Sequence, residues 1–181
     1  PEVEAFVIFV TEKYEYKDKS NILPKNEVQK INSFLESLKT KKEEKKEDLI
    51  SFDISDKQKC FLVKIKKKYE SYFPQEIGGN FFSYLKKFKH INRIDFYPDT
   101  LLFGENELIH FFSQFIFGFN LKSYTFDKYK TTNKEKIDKK INFKILTSNK
   151  KKIENKYKYY NAIKEGVFLS RDLVSEPPNI L

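Results

Sequence analysis

Few residues of this chain combine a reactive type with a useful spacing. His90 and His110 stand twenty positions apart. Neither an HExxH helix nor a cysteine pair supplies the three or four ligands that a zinc ion needs. Cys60, the lone cysteine, heads the apolar run CFLVKI. A nucleophilic thiol needs a lowered pKa and a partner base, so Cys60 reads as a small buried hydrophobe. Gly78-Gly79-Asn80, at the predicted start of a helix, could present backbone amides to a phosphate. No GxGxxG or GxxxxGK[ST] surrounds it, and close backbone packing or a turn is the simpler reading. Tyr124-Thr125-Phe126-Asp127-Lys128-Tyr129-Lys130 interleaves rings and lysines. Such a pattern stacks bases and meets phosphates, or else plugs its rings against a neighbouring surface. No close carboxylate pair, Ser/His/Asp order or nucleophile elbow can be defended. Taken alone, these residues define no active site.

The elements that would position them follow from hydrophobic period. VEAFVIFV (residues 3–10) is a β-branched and aromatic run, hence a buried strand. After Pro24, the residues Val28, Ile31, Leu35 and Leu38 share a helical stripe with Phe34 beside it. LISFDI (49–54) and CFLVKI (60–65), joined by Ser55-Asp56-Lys57, predict a hairpin. A second helix is predicted over 75–88, with Phe81, Phe82, Leu85 and Phe88 on its apolar face, followed by the strand INRIDFY (91–97) stopped at Pro98. A third helix over 105–119 points Leu108, Ile109, Phe112, Phe115, Ile116 and Phe119 inward. The strand INFKIL (141–146) precedes the longest helix, 150–175, whose period runs through Ile153, Tyr157, Tyr160, Ile163, Val167 and Val174 to Pro177-Pro178. Gly118 and Gly166 interrupt helical patterns at a cost of about 1 kcal/mol each relative to Ala, which predicts close approach of another element at both. Helices alternating with strands predict an α/β fold: a mixed central sheet flanked by helices, with a long C-terminal helix. The expected division is a domain over 1–148 and a linker helix with the start of a junction over 149–181.

Composition bounds the function classes. The chain has 181 residues and one cysteine, too few thiols for a disulfide scaffold or a cysteine-rich zinc module. No apolar run reaches the roughly 18 residues that span a membrane. No Arg-rich or cleavable leader precedes the first strand, so a cytoplasmic location is expected. Nineteen Phe and eleven Tyr supply large rings for a core. The formal charge of +9 is concentrated: residues 122–158 hold 13 Lys against four acids, and the remainder is neutral. That footprint suits a polyanion such as a nucleic acid. Against it, Lys outnumbers Arg 33 to 2, and a solvated lysine face accounts for the same residues. The mixed-sign cluster at 41–48 reads as an exposed loop or helix end.

The closing segment carries a resemblance. Glu165-Gly166-Val167-Phe168-Leu169-Ser170-Arg171-Asp172-Leu173-Val174-Ser175-Glu176-Pro177-Pro178-Asn179-Ile180-Leu181 resembles the helix and junction of leucyl aminopeptidases (cytosol aminopeptidases, peptidase family M17), where an EG-x-x-x-x-RDLV-x-x-PPN stretch leads into the catalytic domain. Gly118 followed by the Tyr124–Lys130 segment is similar to that family's G…Y-x-F-D-x-Y-K stretch, and Gly78-Gly79 before an amphipathic helix is a third, weaker match.

The resemblance implies a macro-domain-like N-terminal domain and linker helix of a two-metal peptidase that removes N-terminal residues from peptides, usually as a hexamer. It implies a parent using two divalent metals (Mn or Zn), with every metal-binding and catalytic residue beyond the Pro-Pro-Asn junction. This chain would then bind no cofactor and touch no membrane. Its partners would be its own C-terminal catalytic domain and further copies in a homo-oligomer, while peptides are substrates of the parent. Gly166, Arg171, Asp172, Pro177, Pro178 and Asn179 become structural linker residues. Gly118, Tyr124, Phe126, Asp127, Tyr129 and Lys130 become a packing segment. A continuation beyond Leu181 is expected. The alternatives are a nucleic-acid-binding module using 122–158, and a stand-alone macro-like ligand binder, which lacks a glycine-rich phosphate loop.

Overall fold

The computed structural model describes residues 4–40, 47–129 and 141–177. Strand β1 (Ala5–Thr11) is buried at its first six positions, because both faces of the sheet are covered there. Its alternate side chains enter two cores. Ala5, Val7 and Phe9 meet α2 (Phe73–Leu85) and α3 (Glu105–Lys122), while Phe6, Ile8 and Val10 meet α1 (Lys25–Thr40). The five-stranded sheet has the order β2-β3-β1-β4-β5, with β2 (Leu49–Ser55), β3 (Gln58–Ile65), β4 (Arg93–Tyr97) and β5 (Asn142–Ile145). The expected hairpin forms: β2 is antiparallel to β3, and every other pairing is parallel.

On one face of the sheet, α1 buries Ile31, Leu35 and Leu38, and Phe34 stacks on Phe52 with ring centroids 3.9 Å apart. The other core is built from rings. Phe96 meets Phe81, Phe112, Phe115, Phe119 and Phe143 at centroid distances of 5.7 to 6.0 Å, mostly edge to face. Each such pair adds about 0.5–1.5 kcal/mol beyond the area buried.

Helix α2 begins two residues earlier than its sequence period predicts, because Pro74 sits in the first turn, where a missing N–H costs nothing. Gly78, Gly79 and Asn80 therefore lie inside the helix and not at its start, and their amides are not free for a phosphate. Gly78 is instead a crossing point: a Cβ there would stand 2.0 Å from the Phe115 carbonyl oxygen. Gly118 makes the reciprocal approach, 1.9 Å from the Gln75 oxygen. The α2–α3 contact is thus backbone on backbone, through one glycine from each helix.

Helix α4 (Lys150–Ser175) departs from expectation. Its apolar period predicts a core face along the whole length, yet only Ile153 and Tyr160 are buried. Asn120 donates to the Tyr157 hydroxyl at 2.5 Å, and Phe117 meets Tyr160 at 5.2 Å, so α3 holds the first half. The second half exposes Ile163, Leu169, Leu173 and, at 87%, Val174. A Cβ at Gly166 would have nothing within 4 Å, so the predicted close approach at that glycine is absent from the described residues. No helix among the described residues is long and apolar enough to cross a membrane.

Candidate functional site

In open α/β sheets, ligands bind beyond the carboxyl ends of parallel strands. Here that edge is stitched together. The β4–α3 connection opens with a 3₁₀ turn, Pro98–Thr100. The Thr100 hydroxyl accepts from Phe9 N–H at 2.9 Å and donates to the Tyr97 carbonyl at 2.7 Å. Asp99, only 3% exposed, accepts from the Ser20 and Thr147 hydroxyls, and from both the backbone N–H and hydroxyl of Ser148 at 2.8 Å. Burial opposes its charge, but the bonds from Ser148, Ser20 and Thr147 outweigh it and hold the carboxyl below the ordinary aspartate range. Asp99 thereby ties the β1–α1 loop to the start of α4. Lys19 adds a bond to the Phe103 carbonyl at 2.7 Å.

The titratable candidates stay apart from chemistry. Cys60 is fully buried in β3, and burial pushes its thiol well above the ordinary range. His110 is exposed on α3 and shares a hydrogen bond with Gln114. Among the described residues, no group of three or more His, Cys, Asp and Glu could hold a metal ion.

What the fold does bring together are the two motif segments. The Tyr124 hydroxyl donates to Asp172 Oδ1 at 2.8 Å, and the Arg171 guanidinium lies 5.3 Å from the Tyr124 ring centroid. Arg171 also donates to the Leu121 carbonyl at 3.2 Å, while Phe168 packs on Tyr124 at 5.1 Å. Further along, Lys128 pairs with Glu176 at 2.5 Å and the Tyr129 hydroxyl donates to the same carboxylate, which holds Glu176 below the usual glutamate range. Phe126 meets Tyr129 at 5.8 Å. The residues 124–129 thus bracket the last two turns of α4. Asp127 lies within this segment, and Pro177 directly follows Glu176. Gly118 belongs to the α2 crossing instead, and Lys130, Pro178 and Asn179 lie outside the described residues. Sequence reasoning passed over Glu176 and Asp99. Their signals were present, as a carboxylate just before a helix-ending proline and one just after Pro98.

Next to the bracket is a groove of about 640 Å³ lined by Tyr124, Ile163, Gly166, Val167, Ser170 and Val174, among others. Of the basic stretch, positions 130–140 lie outside the described residues, and Lys128, Lys150 and Lys152 are paired with Glu176, Glu154 and Glu105.

No family model matches the chain. It is 43% identical over 72 residues to a probable cytosol aminopeptidase of Agrobacterium fabrum, a stretch covering 38% of this chain and 14% of that protein. A protein of the same description from Methylorubrum populi is 36% identical over 69 residues, with the same coverage. In structure, a mutant tomato leucine aminopeptidase superposes on all of this chain with a TM-score of 0.67 at 18% identity, and the chain covers 37% of it. The bottromycin maturation enzyme BotP gives a TM-score of 0.59 at 10% identity, over 97% of this chain and 33% of its own. The resemblance read from the closing motifs is therefore met in sequence over part of the chain. The fold is similar to that of the leucine aminopeptidase N-terminal domain.

Proposed function

We propose that this chain is the N-terminal, non-catalytic region of a cytosolic leucyl aminopeptidase, and that it supports the catalytic part of the subunit and its assembly. One observation carries the reading. Two motif segments some 48 residues apart, Tyr124–Tyr129 and Arg171–Glu176, meet and fix the end of α4, while the rest of that helix end displays apolar side chains to solvent. Such a helix is built to be held at one side and covered at another. The chain spans little more than a third of the tomato protein it resembles, so the larger part of a subunit of that size lies outside it.

Arg171 and Asp172 act here as structural residues, fixing the direction of α4 through Tyr124 and the Leu121 carbonyl. The two divalent metals of the parent, Mn or Zn, would be held beyond this chain, because the described residues offer no ligand cluster that fits them. No catalytic step is assigned to these residues. Hexamer formation and the action on N-terminal residues of peptides belong to the same proposal about the parent. The test is release of leucine from a leucyl peptide with Mn²⁺ or Zn²⁺ added. The complete gene product is expected to release it and the 181-residue chain is not; release by the short chain would overturn the non-catalytic role.

A second reading, nucleic-acid binding through 122–158, is favoured only by the local charge of +9. It predicts an affinity that falls steeply with salt, because lysines displace condensed counterions. Binding that is flat from low to moderate salt, or absent, removes it.

A further inference from the structure

The exposed side of α4 has a period of its own. Tyr159, Ala162, Gly166, Leu169 and Leu173 recur at alternating steps of three and four, the spacing that lines a helix–helix seam. None of these positions is charged. Tyr159, Leu169 and Leu173 are 63%, 61% and 48% exposed, and Ile163 and Val174 flank them. In the middle the seam dips: Ala162 and Gly166 carry almost no side chain, and nothing lies within 4 Å of where a Gly166 Cβ would be. A glycine in an exposed helix interior is unfavourable unless another backbone must come close. The α2–α3 crossing in this same molecule, built on Gly78 and Gly118, shows how this chain uses such glycines.

We propose that this seam receives a second α-helix, supplied by the remaining length of the same subunit, which crosses α4 with its closest approach at Gly166. The inference rests on the aminopeptidase reading above and names what covers α4. The incoming helix presents an apolar stripe without charge, seats one large side chain in the groove beside Ile163 and Val167, and packs against Leu169 and Leu173. The occupant is assigned to the same subunit because the structure on which this whole chain superposes has most of its length outside the matched part. The bracket on Asp172 and Glu176 also sets the direction of α4 independently of a second copy.

The test compares the 181-residue chain, whose two cores close among its own residues, with the complete gene product. Single thiols are introduced by Leu169→Cys and Leu173→Cys, with Lys151→Cys as an exposed control. Buried Cys60 reports in the same samples that each chain is folded. In the complete product, labelling at 169 and 173 is expected to slow by at least about tenfold relative to the short chain, with no change at 151. Adding Gly166→Leu, which has free space in the short chain, is expected to restore fast labelling. Protection that survives Gly166→Leu would overturn the helix seated at Gly166 while leaving the aminopeptidase reading intact. Equal labelling in both proteins would overturn the covering of α4 altogether, whereas leucine release tests the activity separately. Protection that already appears in the short chain and grows with its concentration would assign the seam to a second copy and overturn the proposal.

Discussion

Tyr124 reaches across 48 residues of sequence to donate its hydroxyl to Asp172, and the neighbouring Arg171 lays its guanidinium over the same ring. One tyrosine therefore engages both charged residues of the Arg-Asp pair, by a hydrogen bond to one and a cation–π contact to the other. The partners are solvent-accessible, so their worth lies in fixing geometry more than in stability. Tyr124→Phe is expected to leave the melting temperature nearly unchanged. It should speed amide exchange in the last two turns of α4 several-fold, and Asp172→Asn should do the same. The double variant should be no worse than either alone, since both remove one interaction. Additive effects would show that Tyr124 and Asp172 act separately.

The glycines give a paired prediction with opposite signs. Gly78→Ala or Gly118→Ala forces a methyl into a facing backbone carbonyl, which cannot swing aside like a flexible side chain. Either change is expected to destabilise the chain by about 3 kcal/mol through overpacking. Gly166→Ala meets empty space in the same chain and should stabilise it by about 0.5–1 kcal/mol, the helix-propensity gain alone. Urea unfolding of the three variants measures all of this; a destabilised Gly166→Ala would show an unseen neighbour.

The course of the fold was legible where side-chain period and burial agree. β1 reads as a central strand because its run of apolar residues has no polar alternation, and the hairpin of β2 and β3 reads from its short polar turn. Gly78-Gly79 misled because a glycine pair looks like a helix boundary in sequence, and only the partner helix reveals that it is a crossing. The second half of α4 misled in another way. An apolar stripe announces that a face will be covered but not by what, and this chain covers only the first half. The site itself was legible through the two motifs, Tyr124–Lys130 and Glu165–Asn179, but not their meeting. A pairing across 48 residues leaves no periodic trace, and Asp99 gathers partners from loops far apart in the chain.

Cys60 provides an internal unfolding reporter. Its side chain is fully buried, and burial together with the nearby Glu27 raises its thiol well above the ordinary range. The reactive thiolate is thus both scarce and inaccessible in the folded chain. Labelling with a thiol reagent is expected to follow the unfolding transition in urea, with no fast phase under native conditions. A rapid native phase would mean that β3 opens locally.

Two buried aspartates make opposite contributions with pH. Asp99 has a folded pKa held below its unfolded one by bonds from Ser148, Ser20 and Thr147, so its stabilisation is present above about pH 4 and is lost as pH falls through the folded value. Asp95, on β4, is shifted the other way by burial, which Lys144 only partly offsets. Its contribution is fully present below about pH 4 and is lost as pH rises through its folded value, so at neutral pH its charge is a burden. Asp99→Asn is therefore expected to cost about 3 kcal/mol at pH 7, as buried donors lose a charged acceptor, and to cost much less at pH 3. Asp95→Asn should raise the melting temperature by a few degrees at pH 7 and change little at pH 3. Thermal unfolding of the wild type and both variants across pH 3 to 7 checks the signs. If both variants shift the same way at pH 7, the Asp99 bonds do not hold the β1–α1 loop to the start of α4 as the hydrogen-bond geometry indicates.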